Sequence, residues 1–195
     1  MIDFDFSEIN KLSVIDTCAI LNLFSSEKLY NTVINENFSF CYTSFVEYET
    51  FYKRVKKTTK EIQYQRNKLQ QETNKQRFRC ERLSIDDLQE VEILEARKKL
   101  GKGELSSIAF AKKINQTFMT DDKGARKLGE EILGKQRVLT TPRVLGWLYF
   151  NRILTDPDHK DIICEHKNSG RKMANIYEDI YNEAMRRLCM LANPQ

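Results

Sequence analysis

The chain has 195 residues, 41% of them hydrophobic, and a formal net charge of +4, which suits one α/β core with an attached element rather than two full domains. No apolar run approaches the roughly 20 residues that span a bilayer, and the acidic opening MIDFDFSEIN lacks the basic start and apolar stretch of a secretory leader, so a cytoplasmic protein with no membrane partner is expected. The five cysteines (Cys18, Cys41, Cys80, Cys164, Cys189) are odd in number and never form a CxxC pair, so they read as reduced thiols, several of them buried.

Leu12 to Ala19 is predicted as a buried strand around a single charge, flowing into a helical start at Ile20, Leu21, Leu23 and Phe24. Phe38, Phe40 and Tyr42 alternate with Ser39 and Cys41, the pattern of a second strand. Ser44 is then expected to cap a helix with Glu47 as the reciprocal acid of a capping box. Neither Gly nor Pro occurs before Gly101, so the first half must turn on Asn, Ser, Thr and Asp.

Residues 53–77 hold nine Lys/Arg against Glu61 and Glu72, a net +7 that leaves the rest of the chain at −3. Val55, Ile62 and Leu69 form only a thin apolar stripe, which predicts a projecting or loosely packed helix. Such a segment suits a polyanion, with Lys53, Arg54, Lys56, Lys57 and Lys60 as candidate nucleic-acid contacts. Its plainer reading is a solvated helix face.

Further along, a third strand is expected near 77–83 and a Ser84/Asp87 capping box opens a helix. After Gly101 and Gly103, Glu104 opens a helix that buries Leu105, Ile108, Ala109 and Ala111. Thr117 to Thr120 reads as a strand ending at Asp121–Asp122, Lys123 to Leu133 as a helix, and Arg137 to Leu139 as a last strand. Thr141–Pro142 starts another helix. The tail is expected to present Ile176, Ile180, Ala184, Leu188 and Leu191 on one face. Strands alternating with helices predict a parallel sheet flanked by helices.

Asp16 is the residue to explain, because its strand is otherwise apolar and a lone buried charge is costly. Sites in open parallel sheets form outside the carboxyl ends of strands. Asp16, Asp121 and Asp122 would point there, and Glu47 and Glu104 lie in first turns of helices entering from the same edge. Singly, the two glutamates also read as charges complementing a helix dipole, and the aspartate pair as a turn with an N-cap. Together the acids repel one another unless protonated or held by a cation. Carboxylate oxygens suit Mg²⁺ or Mn²⁺. Cys164, His166 and His159 are the only zinc candidates, and their spacing is not that of a zinc site.

VIDTCAILNLF, TSFVEYE and GKGELSSIAFAKKINQTFMTDDKGARKL resemble the PIN-domain family in order and spacing, over roughly residues 12–140. The resemblance implies a three-layer α/β fold with a central parallel sheet, here a single domain over 1–195 with a basic helical insertion at 53–77 and a helical C-terminal extension at 141–195. It implies catalytic and metal-binding roles for Asp16, Glu47, Glu104 and Asp122, with Asp121 able to take the last place, and supporting polar roles for Thr17 and Thr120. The implied activity is metal-dependent endoribonucleolytic hydrolysis of RNA that leaves a 5′-phosphate and a 3′-hydroxyl. The partners it implies are RNA, an antitoxin-like inhibitory protein as in toxin–antitoxin pairs, and a second copy of the chain. A non-catalytic RNA-binding or scaffold module of the same fold is the alternative. The chain has no DxDxT, no acidic pair on its first strand, and no GxGxxG or GxxxxGK[ST] phosphate loop.

Overall fold

The computed structural model describes residues 9–53 and 59–192. Five short strands, β1 (Leu12–Ile15), β2 (Ser39–Thr43), β3 (Phe78–Glu81), β4 (Thr117–Met119) and β5 (Val138–Leu139), form one sheet in the order β3-β2-β1-β4-β5. Every neighbouring pair is parallel. Val14 of β1 lies opposite Cys41 of β2 and Phe118 of β4. Strands covered on both faces need apolar residues on both, which is why Val14, Ile15, Phe118 and Met119 are wholly buried. The chain winds from β1 to β3 in one direction, then returns to add β4 on the other side of β1. That reversal opens a crevice at the carboxyl ends of β1 and β4.

The sheet unit spans residues 10–21 and 38–139. It includes the start of α1 (Thr17–Leu23), α3 (Ser44–Glu47), a π turn at Tyr48–Tyr52, α4 (Lys60–Asn74), α5 (Ile85–Arg97), α6 (Lys102–Lys113) and α7 (Lys123–Leu133). Val14, Leu94, Leu105, Ile108, Phe118, Leu128 and Val138 share one apolar cluster. The Ser84/Asp87 capping box opens α5 as expected.

The basic helix departs from expectation. Helix α4 connects β2 to β3 and buries Leu69 completely, together with Gln65, Lys68 and Glu72. It is a packed crossover, and its polar side chains supply much of the buried face. Glu72 is paired with Lys75 at 2.8 Å and Arg77 at 2.9 Å, while Arg66 Nε donates to the Thr50 carbonyl at 2.6 Å. With the buried Lys68, four of the nine cations are thereby occupied within the fold, and hydropathy alone could not show this.

Tight turns use Asn37, Gln76, Asn115 and Arg152, all at φ between 53° and 61°. Asn tolerates this left-handed region better than most residues. Gln76 is not among the residue types expected to turn the first half of the chain.

The second unit contains residues 22–37 and 140–192, with α2 (Glu27–Asn35), α8 (Thr141–Phe150), α9 (Asp156–Asn168) and α10 (Ala174–Ala192). The buried face of α10 is Ala174, Tyr177, Ile180 and Ala184. Ile180 and Ala184 of the expected tail stripe are buried, but Ile176 is 44% and Leu191 67% exposed, and Tyr177 takes the place given to Ile176.

His166 organises the polar interior of this unit. Its Nε2 accepts the Met173 N–H at 3.1 Å, so that nitrogen carries no proton. Its Nδ1 faces Ser25 Oγ at 2.5 Å, and the Ser25 hydroxyl donates to the Asn22 carbonyl at 2.5 Å. The neutral Nδ1–H tautomer satisfies the whole chain of bonds. Burial first, then the neighbouring Arg171 cation, pushes the His166 pKa down to about 4. Both ring nitrogens are therefore occupied. His159 engages Tyr149 through Nδ1 at 2.9 Å and stacks on Tyr181.

The unfolded chain takes up a proton at His166 near pH 6.5 while the folded chain resists until about pH 4. Stability from this group is therefore full above pH 6.5 and declines as pH falls toward 4. His166→Phe keeps a ring against Tyr177 but strands Ser25 and the Met173 N–H. It is expected to cost about 2–4 kcal/mol at pH 7 and to flatten the decline, as denaturant melts at pH 7 and pH 5 will register.

Candidate active site

Asp16 follows the last residue of β1, and its own N–H still pairs with the Met119 carbonyl of β4 at 3.1 Å. Its side chain is the N-terminal cap of α1, with Oδ1 accepting the Ala19 N–H at 2.8 Å. Its Oδ2 accepts the Thr120 hydroxyl at 2.5 Å. Thr120 in turn accepts the Asp122 N–H on the same oxygen at 3.1 Å. Asp16 is only 1% exposed. Burial above all raises its pKa to about 7; the two hydrogen bonds oppose this, and the charges of Asp121 and Glu104 add to it.

Glu104 stands in the first turn of α6, where its Oε2 accepts the Gly101 N–H at 2.7 Å. The carboxyl is half-buried, and its pKa is raised by burial first. The bond from Gly101 and the Lys53 cation oppose the rise, while the charges of Asp122 and Glu49 support it.

Glu49 is the acid that sequence reasoning missed. Its Oε2 accepts the Thr17 hydroxyl at 3.0 Å, and its Oε1 accepts the Gly103 N–H at 3.3 Å. A Cβ at Gly103 would collide with Glu49 Oε2, so glycine there lets the carboxylate approach the α6 backbone. Glu49 thus joins Thr17 and the first turn of α6, beside Glu104.

The residue expected in that place, Glu47, faces elsewhere. It lies within hydrogen-bonding reach of the Cys80 thiol on β3; burial first, then the Glu47 charge and that bond, pushes Cys80 to about 12. Two local features account for the shift. The helix cap is Thr43 rather than Ser44, its hydroxyl accepting the Val46 N–H at 3.5 Å, so Glu47 is not the third residue of a Ser44-capped helix. The chain then widens into the π turn, closed by the Lys53 N–H to the Tyr48 carbonyl at 2.8 Å. Such turns re-aim side chains and recur at functional sites. The sequence offered one indirect signal, the Gly101-x-Gly103 pair, which marks a helix start that something must approach closely.

The other expected residues gather as follows. Asp121 acts on Asp16. Asp122 caps α7, accepting the Ala125 N–H at 2.7 Å, and its charge acts on Glu104. Thr17 and Thr120 each hold one carboxylate of the site. Lys53 and Lys60 are exposed, and Lys53 is the cation felt at Glu104. Arg54, Lys56 and Lys57 lie outside the described residues.

Comparison with known proteins adds one finding. A family model described as a PIN domain matches residues 48–188, well over half of the chain. The chain belongs to the PIN-domain family. PIN domains are generally metal-dependent nucleases, and the all-parallel five-stranded sheet accords with that fold. The matched region covers Glu49, Glu104, Asp121 and Asp122 but begins after Asp16 and Thr17, whose connection to the site is geometric. No curated protein and no solved structure matches the chain. Among the described residues, no helix is long and apolar enough to cross a membrane.

The donor chemistry of this PIN domain fits a hard divalent cation. Its acids are all oxygen donors, burial and mutual repulsion raise two of them, and a cation relieves both effects. Among the described residues no three acids, histidines or cysteines form a ready-made ligand group, so closure around an ion requires the part-buried carboxylates to rotate toward one another.

The raised Asp16 pKa has a direction in stability. Between pH 4 and 7 the folded chain holds this proton more tightly than the unfolded one, so stability falls with rising pH over that window. With metal chelated, Asp16→Asn is expected to melt several degrees higher than the wild type at pH 8, and the gap should close toward pH 5. Thermal melts in EDTA at both pH values provide the check; a lower melting point at pH 8 would mark Asp16 as a purely structural aspartate.

Proposed function

We propose that this PIN domain is a metal-dependent endoribonuclease in which Asp16, Glu49, Glu104 and one or both of Asp121 and Asp122 hold Mg²⁺ or Mn²⁺. The observation that carries this reading is the meeting of four acidic positions, from four separate elements, at the crevice where the strand order reverses. Glu49 replaces Glu47 in the proposed set because its carboxylate, and not that of Glu47, joins Thr17 and the first turn of α6.

The bound cation would neutralise phosphate charge and acidify a water molecule for attack on phosphorus. The residues of the chain supply orientation. Thr120 holds Asp16 at the rim through its hydroxyl, and Thr17 with the Gly103 N–H fixes Glu49. At the start of α6 the Gly101 N–H is taken by Glu104 and the Gly103 N–H by Glu49, so the helix N-terminus holds both carboxylates in place. The reading includes cleavage of the P–O3′ bond, and, through the family resemblance, an antitoxin-like inhibitor and a homodimer.

Purified protein is expected to cut RNA with Mg²⁺ or Mn²⁺ and to stop when EDTA is added. Asp16→Asn and Glu49→Gln should each lower kcat by about a hundredfold or more, the scale of losing an electrostatic catalytic group, whereas Glu47→Gln should stay within a few-fold of wild type. Gly103→Ala should behave like Glu49→Gln in activity without losing stability, since its methyl displaces only a flexible carboxylate and Ala favours a helix by about 1 kcal/mol. Full activity in Glu49→Gln would sink the assignment, and cleavage that survives chelation would sink the metal.

Lys53, Arg54, Lys56, Lys57 and Lys60 complete the proposal as phosphate-binding cations. Replacing the first four with Gln should weaken RNA binding across sequences and reduce the salt slope by about one unit for each phosphate no longer neutralised, with kcat at saturating substrate much less affected. Titrations at several salt concentrations measure this, and an unchanged slope would assign the segment to another partner.

A further inference from the structure

The π turn that delivers Glu49 also exposes two tyrosines. Tyr48 is 56% and Tyr52 68% exposed, and their rings stack on each other with centroids 6.4 Å apart and planes at 23°. Phe51 meets Tyr52 edge-on at 6.4 Å. Nothing in the sheet core requires these rings, since the turn is fixed by polar bonds. Arg66 clamps the Thr50 carbonyl at 2.6 Å, and Thr50 Oγ donates to the Val46 carbonyl at 2.8 Å. The pair is thus an exposed aromatic surface, presented on the turn that carries Glu49.

We propose that Tyr48 and Tyr52 are a base-stacking platform that seats unpaired bases of the RNA beside the acidic rim. The inference rests on the ribonuclease reading of the adjoining acids. Glu49 follows Tyr48 directly, so a base lying on the rings brings its own backbone to the acidic rim. Lys53 follows Tyr52, is exposed, and exerts its charge on Glu104. In sequence the platform runs on into Arg54, Lys56 and Lys57. Aromatic rings flanked by cations match the two components of a single strand, unstacked bases and phosphates. A duplex keeps its base faces stacked inside the helix and offers nothing to the rings. The charge of this segment favours a polyanion over an apolar protein surface as the occupant.

The test measures binding by fluorescence anisotropy, using the full chain with Asp16→Asn as background and Mg²⁺ present. The probes are a labelled single-stranded RNA dodecamer, the same strand in a duplex, and the same strand with abasic positions. Tyr48→Ala with Tyr52→Ala is expected to weaken single-strand binding about tenfold, leaving the duplex, the abasic strand and the melting temperature unchanged. Tyr48→Trp with Tyr52→Trp should bind the single strand at least as well as the parent. In the otherwise wild-type chain, the Ala pair should raise KM for single-stranded RNA about tenfold and change kcat by less than about threefold. Equal affinity of the parent and the Ala pair for the single strand would overturn the platform and assign the rings to a protein interface. An equal loss with the abasic strand would also overturn it. Ring-dependent binding without cleavage by the wild type would leave the platform standing and remove the ribonuclease reading. Cleavage that ignores the rings would do the reverse.

Discussion

The hydroxyl of Thr120 donates to Asp16 and accepts from the Asp122 N–H, and the geometry of the site follows from that shared oxygen. It binds the end of β1 to the end of β4, adjacent strands reached by opposite windings of the chain. It also sets the start of α7, because the residue whose N–H it accepts is the cap of that helix. A hydroxyl can serve this way because it donates once and accepts twice. Valine would match the shape of Thr120 and lose both bonds.

Around that bond the chain concentrates unfavourable electrostatics. Asp16 is buried among acids, and Glu104 is pressed by Asp122 and Glu49 with Lys53 as the opposing cation. The sheet beneath offsets the repulsion. Wholly buried Val14, Leu105, Ile108 and Phe118 hold the strands and α6 in place, so the carboxylates cannot spread by moving their backbones. Functional sites commonly carry strain of this sort that the surrounding fold over-determines.

Much of this is legible in the sequence because the responsible signals are local. Apolar strands, the Ser84/Asp87 capping box, the Thr141–Pro142 helix start and the Thr120–Asp122 strand end read directly from residue types and spacing. Legibility fails where tertiary contact overrides a local pattern. The Ser-x-x-Glu motif at Ser44 and Glu47 has a capping box's letters, but Thr43 takes the cap and a wide turn carries the next acid into the site. The basic helix reads as projecting because its apolar stripe is thin, yet Glu72 is buried with its charge met by the exposed Lys75 and Arg77, a pairing that no hydropathy pattern reveals. On α10 the buried face turns on Tyr177, whose aromatic bulk packs against His166, over the more hydrophobic Ile176.

The bond between Asp16 and Thr120 joins residues 104 positions apart, and this separation governs when the site can exist during synthesis. A ribosome adding roughly 5–20 residues per second has exposed β1 and β2 for several seconds before β4 emerges. Until then the middle strand of the sheet lacks one of its two neighbours, and Asp16 lacks the hydroxyl that orients it. Contacts this remote in sequence close late, because the intervening loop must first be ordered. The acidic rim therefore assembles only after β4 has been made, and a nascent fragment ending before Thr117 carries its first acids without the constellation they belong to.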